Sequence, residues 1–301
     1  MPVQWRGSKV LLFCSVMVVT VAGCSSKSVD RRSEGGYLHS YALSPGDTIR
    51  FESESTIGMS VDMPQLPFEG PIEMKVPMTV RFEVDDFMEG EYHGALVIED
   101  FRLEGMEGMF GMMGGMSEIQ EIVGKRMPVA MKESGKSEMS MEFPGIGMGG
   151  GMTNMPGGLS NYFIPWPGTP LRPGATWSDS TSLSNDREGM KTQFRTVSDF
   201  TYLGLKAVEE GEEDSEPAHA VHGVTGMIVE GSGTSQQMGS LEFVMSGTAT
   251  VEADYFFNPV DGILDISRST MKMSMVIDMY GMMEMSMPMY MEGSFISRRI
   301  P

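Results

Sequence analysis

The chain has 301 residues, with 41 acidic against 22 basic side chains, 33 methionines, 37 glycines and two cysteines. A formal charge of −19 excludes nucleic acid and anionic headgroups as natural partners, because a surface of that sign repels both. The length is enough for a sizeable core, and two cysteines are too few for a disulfide-built scaffold.

Arg6 and Lys9 precede an apolar run from Val10 to Val21, which closes on Val21-Ala22-Gly23-Cys24. The run is shorter than the roughly 20 residues of a spanning helix, so residues 1–23 read as a signal peptide with a lipobox. It resembles the leaders of bacterial lipoproteins, and the resemblance implies cleavage before Cys24 and acylation of its thiol and new amino group. Several acyl chains, at about 0.8 kcal/mol per buried methylene, make such an anchor effectively permanent. Ser25 follows the cysteine, which in that family implies an outer-membrane address facing the periplasm. Loss of residues 1–23 removes Arg6 and Lys9 and no acid, taking the formal charge from −19 to −21. It also removes Cys14, leaving no thiol for a disulfide, a zinc–thiolate site or a cysteine nucleophile.

Residues 24–36 are Ser, Lys, Arg, Asp and Gly with almost nothing apolar, and read as a tether. A single β-rich domain is expected over 37–301. Pro45-Gly46 makes a turn, after which apolar residues recur at odd positions from Ile49 to Met63 while Arg50, Glu52 and Glu54 lie between them. Even positions from Ile72 to Val84 form a second long strand, in which Pro77 points to an edge or a bulge. Asp85 to Gly94 reads as a turn and Ala95 to Leu103 as a third strand. Two Gly/Met loops, Met106 to Met116 and Pro144 to Gly158, flank a Ser117-x-x-Gln120 capping box that predicts one short helix to about Lys125. A hairpin around Gly135 follows that helix.

The pattern Leu-x-Pro-Gly-x-Thr occurs at Leu43–Thr48 and again at Leu171–Thr176. The second copy is followed by strands near Met190 to Leu205 and Ala220 to Glu230, joined by the acidic run Glu209 to Asp214. This suggests two related halves, 37–143 and 165–301, in one sheet system. Leu241 to Phe257 alternates cleanly, and a turn at Asn258 to Gly262 leads into the last strands. There Met271, Met273, Met275, Met279, Met283, Met285, Met287, Met289 and Met291 all occupy odd positions, so an extended chain sets them on one face. Leu264 and Ile266 are even, which predicts a bulge between Ile266 and Met271, and Pro288 predicts an edge strand from Met283 to about Phe295.

The fold class is therefore all-β with minor α: a strongly curved antiparallel sheet, half-barrel or sandwich, with one short helix and Gly/Met-rich loops. The leader, the one-face-wet strands, the Pro173 to Trp177 turn and the Phe257 to Gly262 turn resemble a group of bacterial lipoproteins. These are similar to periplasmic lipid carriers of the LolA, LolB and LppX type, which implies a curved sheet closed by helices around an apolar cavity. One helix is fewer than those carriers use.

Strands with one apolar face must cover one another or cover a ligand. The wall assigned to an apolar or lipid-like ligand is Met271, Met273, Met275, Met283, Met285, Met287, Met289, Phe243 and Met245, since methionine adapts to variable apolar shapes. The bland alternative is that these methionines simply fill a dry core. A second alternative is Cu(I), because Met283, Met285 and Met287 place soft thioethers on one face. His39 and His93 read as turn or surface residues, and Trp166 and Trp177 as packing anchors. The acidic run lacks the spacing of a calcium loop. No Gly-x-Ser-x-Gly elbow, His-Glu-x-x-His motif or phosphate loop is present, so no enzymatic activity and no cofactor beyond the lipid on Cys24 is expected. The functional expectation is an outer-membrane lipoprotein attached to the membrane through its lipid, holding an apolar molecule or serving as an envelope scaffold.

Overall fold

The structure, a computed structural model, describes residues 32–33, 36–61, 72–105, 123–138, 162–187, 190–208, 217–235, 241–281 and 284–301. Cys24 and the leader, both Gly/Met loops, the Ser117 capping box, the acidic run 209–214 and Met283 lie outside the described residues.

Long period-two alternation produces long strands here. Strands β1 (Arg32–Ser33) and β2 (Gly36–Tyr37) form a small hairpin within the stretch expected to be tether. The other strands are β3 (Thr48–Val61), β4 (Ile72–Met88), β5 (Glu91–Phe101), β6 (Arg126–Lys132), β7 (Ser137–Glu138), β8 (Thr176–Arg187), β9 (Met190–Ala207), β10 (Pro217–Ser235), β11 (Leu241–Phe257), β12 (Leu264–Tyr280) and β13 (Met285–Ile300). These eleven make one sheet in the order β7-β6-β5-β4-β3-β13-β12-β11-β10-β9-β8, and every neighbouring pair is antiparallel. The chain steps outward from β3 to β7, re-enters at the opposite edge with β8, and steps back until β13 pairs with β3. It is one continuous sheet, which removes the sandwich from the two architectures expected. Among the described residues no ladder joins β7 to β8, so the sheet is open.

Its two ends nevertheless meet at one place. Lys136 Nζ, in the turn before β7, lies 3.2 Å from Asp179 Oδ1 on β8. Between these ends the segment 162–166 packs against the apolar face of both wings: Phe163 touches Phe82 of β4, and Trp166 touches Phe257 of β11. The Trp166 amide donates to Ser134 O at 2.6 Å, and Trp177 Nε1 donates to Pro165 O at 2.7 Å. A sheet whose two edges share these partners has to curl around them.

The two Pro-Gly turns are built alike. The Gly46 amide donates to Val84 O (2.8 Å), the Val84 amide to Asp47 O (2.9 Å), and the Asp47 amide to Ser44 O (2.9 Å). In the second turn the Gly174 amide donates to Tyr202 O (2.7 Å), the Tyr202 amide to Ala175 O (2.9 Å), and the Ala175 amide to Arg172 O (2.9 Å). Each glycine has positive φ, 94° at Gly46 and 88° at Gly174, and each turn hands the chain to a strand that begins at a threonine.

Several expectations are corrected. The predicted helix does not reach Lys125: Val123 forms an isolated parallel bridge with Ile98, and the chain turns at Gly124 with φ 78°. No helix occurs among the described residues. The turn expected over Asp85 to Gly94 shrinks to Glu89-Gly90, both with positive φ, which is the backbone of a two-residue hairpin whose strands run on to meet it. The bulge sits at Asp265, ahead of Ile266, because Phe257 pairs with Leu264 while Phe256 pairs with Ile266. This turns Ser267 inward, where it is buried, and sets the odd phase that the methionines inherit. Strand β13 is central rather than an edge strand; only Met285–Pro288 extend past its last described pair with β3, Met289 with Val61. Pro288 lies in that extension, where no described β3 residue needs its missing amide.

On the wet face, Arg50 and Arg81 both pair with Glu99 (2.8 and 2.6 Å), and Arg126 pairs with Glu83 and Asp85 (2.9 and 2.7 Å). These cross-strand pairs fix register on β3–β6, and solvent screening keeps the contribution of the exposed ones small.

A Cβ at Gly46 or Gly174 would meet nothing within 4 Å, so substitution costs only left-handed strain. Gly46→Ala and Gly174→Ala are each expected to lose about 1–2 kcal/mol in urea unfolding. The double variant should lose about the sum, since the turns share no partner. Gly58→Ala, at ordinary φ and with only Glu292 O at 3.8 Å from the new Cβ, an ordinary van der Waals contact, should lose nothing.

Candidate functional site

The apolar face divides into two ends. At the aromatic end the segments 37–43 and 162–171 fill the space inside the sheet, and Tyr41, Phe51, Phe82, Phe163, Tyr202 and Phe257 are almost completely buried. Each such side chain contributes about 1.5–3 kcal/mol by leaving water. His39 belongs to this core and not to the surface expected for it: it is 4% exposed and its ring stacks on Trp166 with centroids 4.4 Å apart. His219 is also buried, edge-on to His39 at 4.6 Å, with Nδ1 2.7 Å from the Tyr202 hydroxyl. His222, three residues on, faces the other way and pairs with Asp254 at 2.9 Å. Odd spacing on a strand separates them, so the two histidines cannot form one ligand set. His93 lies within β5 opposite Ala130, and the rings of Trp166 and Trp177 pack with a tilt of 31° and centroids 5.7 Å apart.

A belt of buried hydroxyls closes off the aromatic end. Ser267, Ser297 and Ser53 lie side by side on β12, β13 and β3, and Ser53 Oγ is 3.0 Å from Ser297 Oγ and 3.1 Å from the Tyr162 hydroxyl. Small polar residues are sustained there because each finds a partner.

Beyond the belt lies the methionine end. Register puts Met273 opposite Met291, Met275 opposite Met289, Met279 opposite Met285 and Ile277 opposite Met287. On the next strand Phe243 faces Met279, Met245 faces Ile277, and Val251 faces Met271. The described members of the predicted wall therefore share one face across β11, β12 and β13; Met283 is the member outside the described residues. Met273, Met279 and Phe243 are buried, whereas Met245, Met271, Met275, Met285, Met287 and Met289 are half-buried. That gradient separates this end from the aromatic end: two clusters form, one around Phe243, Ile277 and Met279, the other around Phe194, Met227 and Met273, and neither is sealed by the segments that seal the first core.

Sequence reasoning left out several residues of this wall. Met59 on β3 extends it opposite Met291, and Met227 and Phe194 extend it through β10 and β9. Glycines shape it as well. A Cβ at Gly247 would lie 2.8 Å from Ser274 O and 3.0 Å from Met275 Cβ, so the two strands approach closely there, and one at Gly231 would strike the Met245 methyl, so Met245 lies over a glycine gap. The signal was present, since Gly231 and Gly247 interrupt apolar alternation, but only pairing tells what approaches each of them.

Chemically, this face offers thioethers and hydrocarbon. The acids of the central strands point to the other face, where Glu52, Glu54, Glu252, Asp254 and Glu292 are exposed. Among the described residues no three His, Cys, Asp or Glu side chains converge as metal ligands.

No family model matches the chain, and no curated protein does. Among solved structures, a triple mutant of a Rhodopseudomonas blastica porin covers 84% of this chain and 100% of its own at 6% identity, with a TM-score of 0.24. A structure described as showing asymmetric conductivity of engineered proteins covers the same shares at 7% identity, with a TM-score of 0.25. Likeness at this level carries no argument about function. The polarity of the sheet itself does: a barrel spanning a bilayer turns apolar residues outward, whereas here the outward face carries the charges and the curled-in face is apolar.

Burial pushes the phenols of Tyr162, Tyr202 and Tyr255 up to about 12, and raises Tyr41 further still. Above the ordinary tyrosine value of about 10 the unfolded chain sheds these protons while the folded chain keeps them, so unfolding gains. Stability should hold below pH 10 and fall between about pH 10 and 12, by up to about 1.4 kcal/mol per pH unit for each phenol. Tyrosinate absorbance should then appear for these four residues only together with loss of the β signal in circular dichroism.

Proposed function

We propose that the chain is a non-enzymatic, lipid-anchored lipoprotein on the periplasmic face of the outer membrane, holding an apolar, lipid-like molecule on the methionine end of its sheet. The observation that carries the ligand is the contrast between the two ends of one apolar face. The aromatic end is filled by the chain's own segments, and the methionine end is left half-buried by the described residues. Unbranched thioether side chains, Met245 over Gly231 among them, can repack around acyl chains of different length, which a wall of Val and Ile would resist. The charged outer face keeps the domain in water, so the lipid on Cys24 does the anchoring.

A soluble chain starting at Ser25, purified from an envelope fraction and sprayed under native conditions, should carry a lipid-sized additional mass. Met289→Glu places a charge on the wall without touching the aromatic core, and should weaken binding of a fluorescent fatty acid at least about tenfold. A chain that carries no additional mass and does not bind the probe would sink the ligand reading. For the anchor, Cys24→Ser in the full-length precursor should abolish incorporation of labelled palmitate and leave the chain at precursor size. Palmitate labelling equal to wild type would refute it.

A further inference from the structure

We infer that the paired methionines of β12 and β13 form a binding site for a soft univalent cation, Cu(I), with Ag(I) as its stable substitute. Inward positions on these two strands run from Met271 to Met279 and from Met285 to Met291, and all but Ile277 are methionine. Packing alone does not call for that. Strands favour β-branched and aromatic residues, and the same two strands use Leu264 and Phe295 on this face nearer the aromatic core. What methionine adds to an apolar wall is sulfur.

The register brings the sulfurs within reach of one another. Met275 and Met289 are directly opposite, so their Cβ atoms lie about 4.5–5.5 Å apart. Met287 is two residues from Met289 on the same face, about 6.7 Å along the strand. All three pack against the cluster of Phe243, Ile277 and Met279. Each side chain has three rotatable bonds, so three thioethers can converge on one ion. Each of the three is half-buried, which leaves a path for the ion to enter.

The ligand set selects the metal. Asp278 and Glu292 on these strands belong to the opposite face, so the inner set is neutral and soft; it suits Cu(I) and Ag(I) and gives Zn and Ca, which prefer nitrogen, thiolate or oxygen ligands, little to bind. Thioethers carry no proton to displace, so binding should be unchanged between pH 5 and 8, unlike a histidine or cysteine site. The site shares its side chains with the wall of the lipid reading, but it needs their sulfur where the lipid needs only their apolarity. Leucine matches methionine in size and apolarity, so Met→Leu changes remove the sulfur and keep the wall.

The test uses the full-length lipoprotein in detergent, titrated without oxygen with Cu(I) against bicinchoninate. The expected result is one Cu(I) retained per chain, with the same competition curve at pH 5 and pH 8. The triple variant Met275→Leu, Met287→Leu, Met289→Leu should bind at least 100-fold more weakly, with its thermal midpoint preserved. Met74→Leu, on β4 away from the cluster, should bind as wild type does. Methyl NMR of wild type titrated with Ag(I) gives a second readout that needs no variant to fold: the shifting ε-methyl signals should be those of Met275, Met287 and Met289. No Cu(I) held against the competitor, wild-type affinity in the triple variant, or Ag(I) shifts confined to other methionines would each overturn the site.

Discussion

Sustained one-sided alternation is the constraint on which the structure depends. Strands of 14 to 19 residues, as in β3, β9, β10 and β11, present long apolar stripes on one face and charges on the other. No helix among the described residues is available to cover such a face. A single sheet then lowers its exposed apolar area only by curling over its own chain. The segment 162–171 supplies what it curls around, and Lys136 with Asp179 marks where the two ends meet.

The curl treats the two ends of the face differently. Rings dominate one end, and rings are large, stiff and able to fill a space completely; Phe82, Phe257 and Tyr202 have no exposed surface. The belt of Ser53, Ser267 and Ser297 is narrow and fully hydrogen-bonded, so it ends the aromatic packing without leaving unsatisfied groups. Beyond it the residues become methionine and glycine, a combination that packs at lower cost in rigidity and holds no fixed shape. The rigid end specifies the fold, and the methionine end leaves most of its side chains half-buried among the described residues.

The chain's route through the sheet adds a second property. Because β13 zips against β3, the first and last long strands are neighbours at the centre of the sheet, and the edges are the short β7 and the hydroxyl-rich β8. The methionine wall therefore lies on the most central strands, β11 to β13 and β3, which have partners on both sides. Side chains there are held in register by ladders on both sides.

The amino-acid order alone determined the strands, the faces and the chemistry of the wall. Alternation at Ile49 to Met63, Leu241 to Phe257 and Met271 to Met291 is a local property of the backbone's two-residue period, and the described residues of these runs are strands with that face inward. It also located both Pro-Gly turns, since a glycine at positive φ after proline is a local requirement. Local pattern could not decide what depends on partners. The phase change was legible in Leu264 and Ile266, but its place, Asp265, follows from how β12 registers on Phe256 and Phe257. Pro288 looked like the mark of an edge strand because the sequence does not reveal that the rest of β13 pairs with β3, the first long strand of the chain. His39 looked exposed because its burial comes from Trp166 and His219, more than a hundred residues away. Strand β8 carries little apolar pattern of its own and is held by its ladder with β9. Tertiary structure alone decided which methionine faces which, and that the described segments 37–43 and 162–171 fill one end of the apolar face and not the other, because both depend on register and packing between parts distant in the chain.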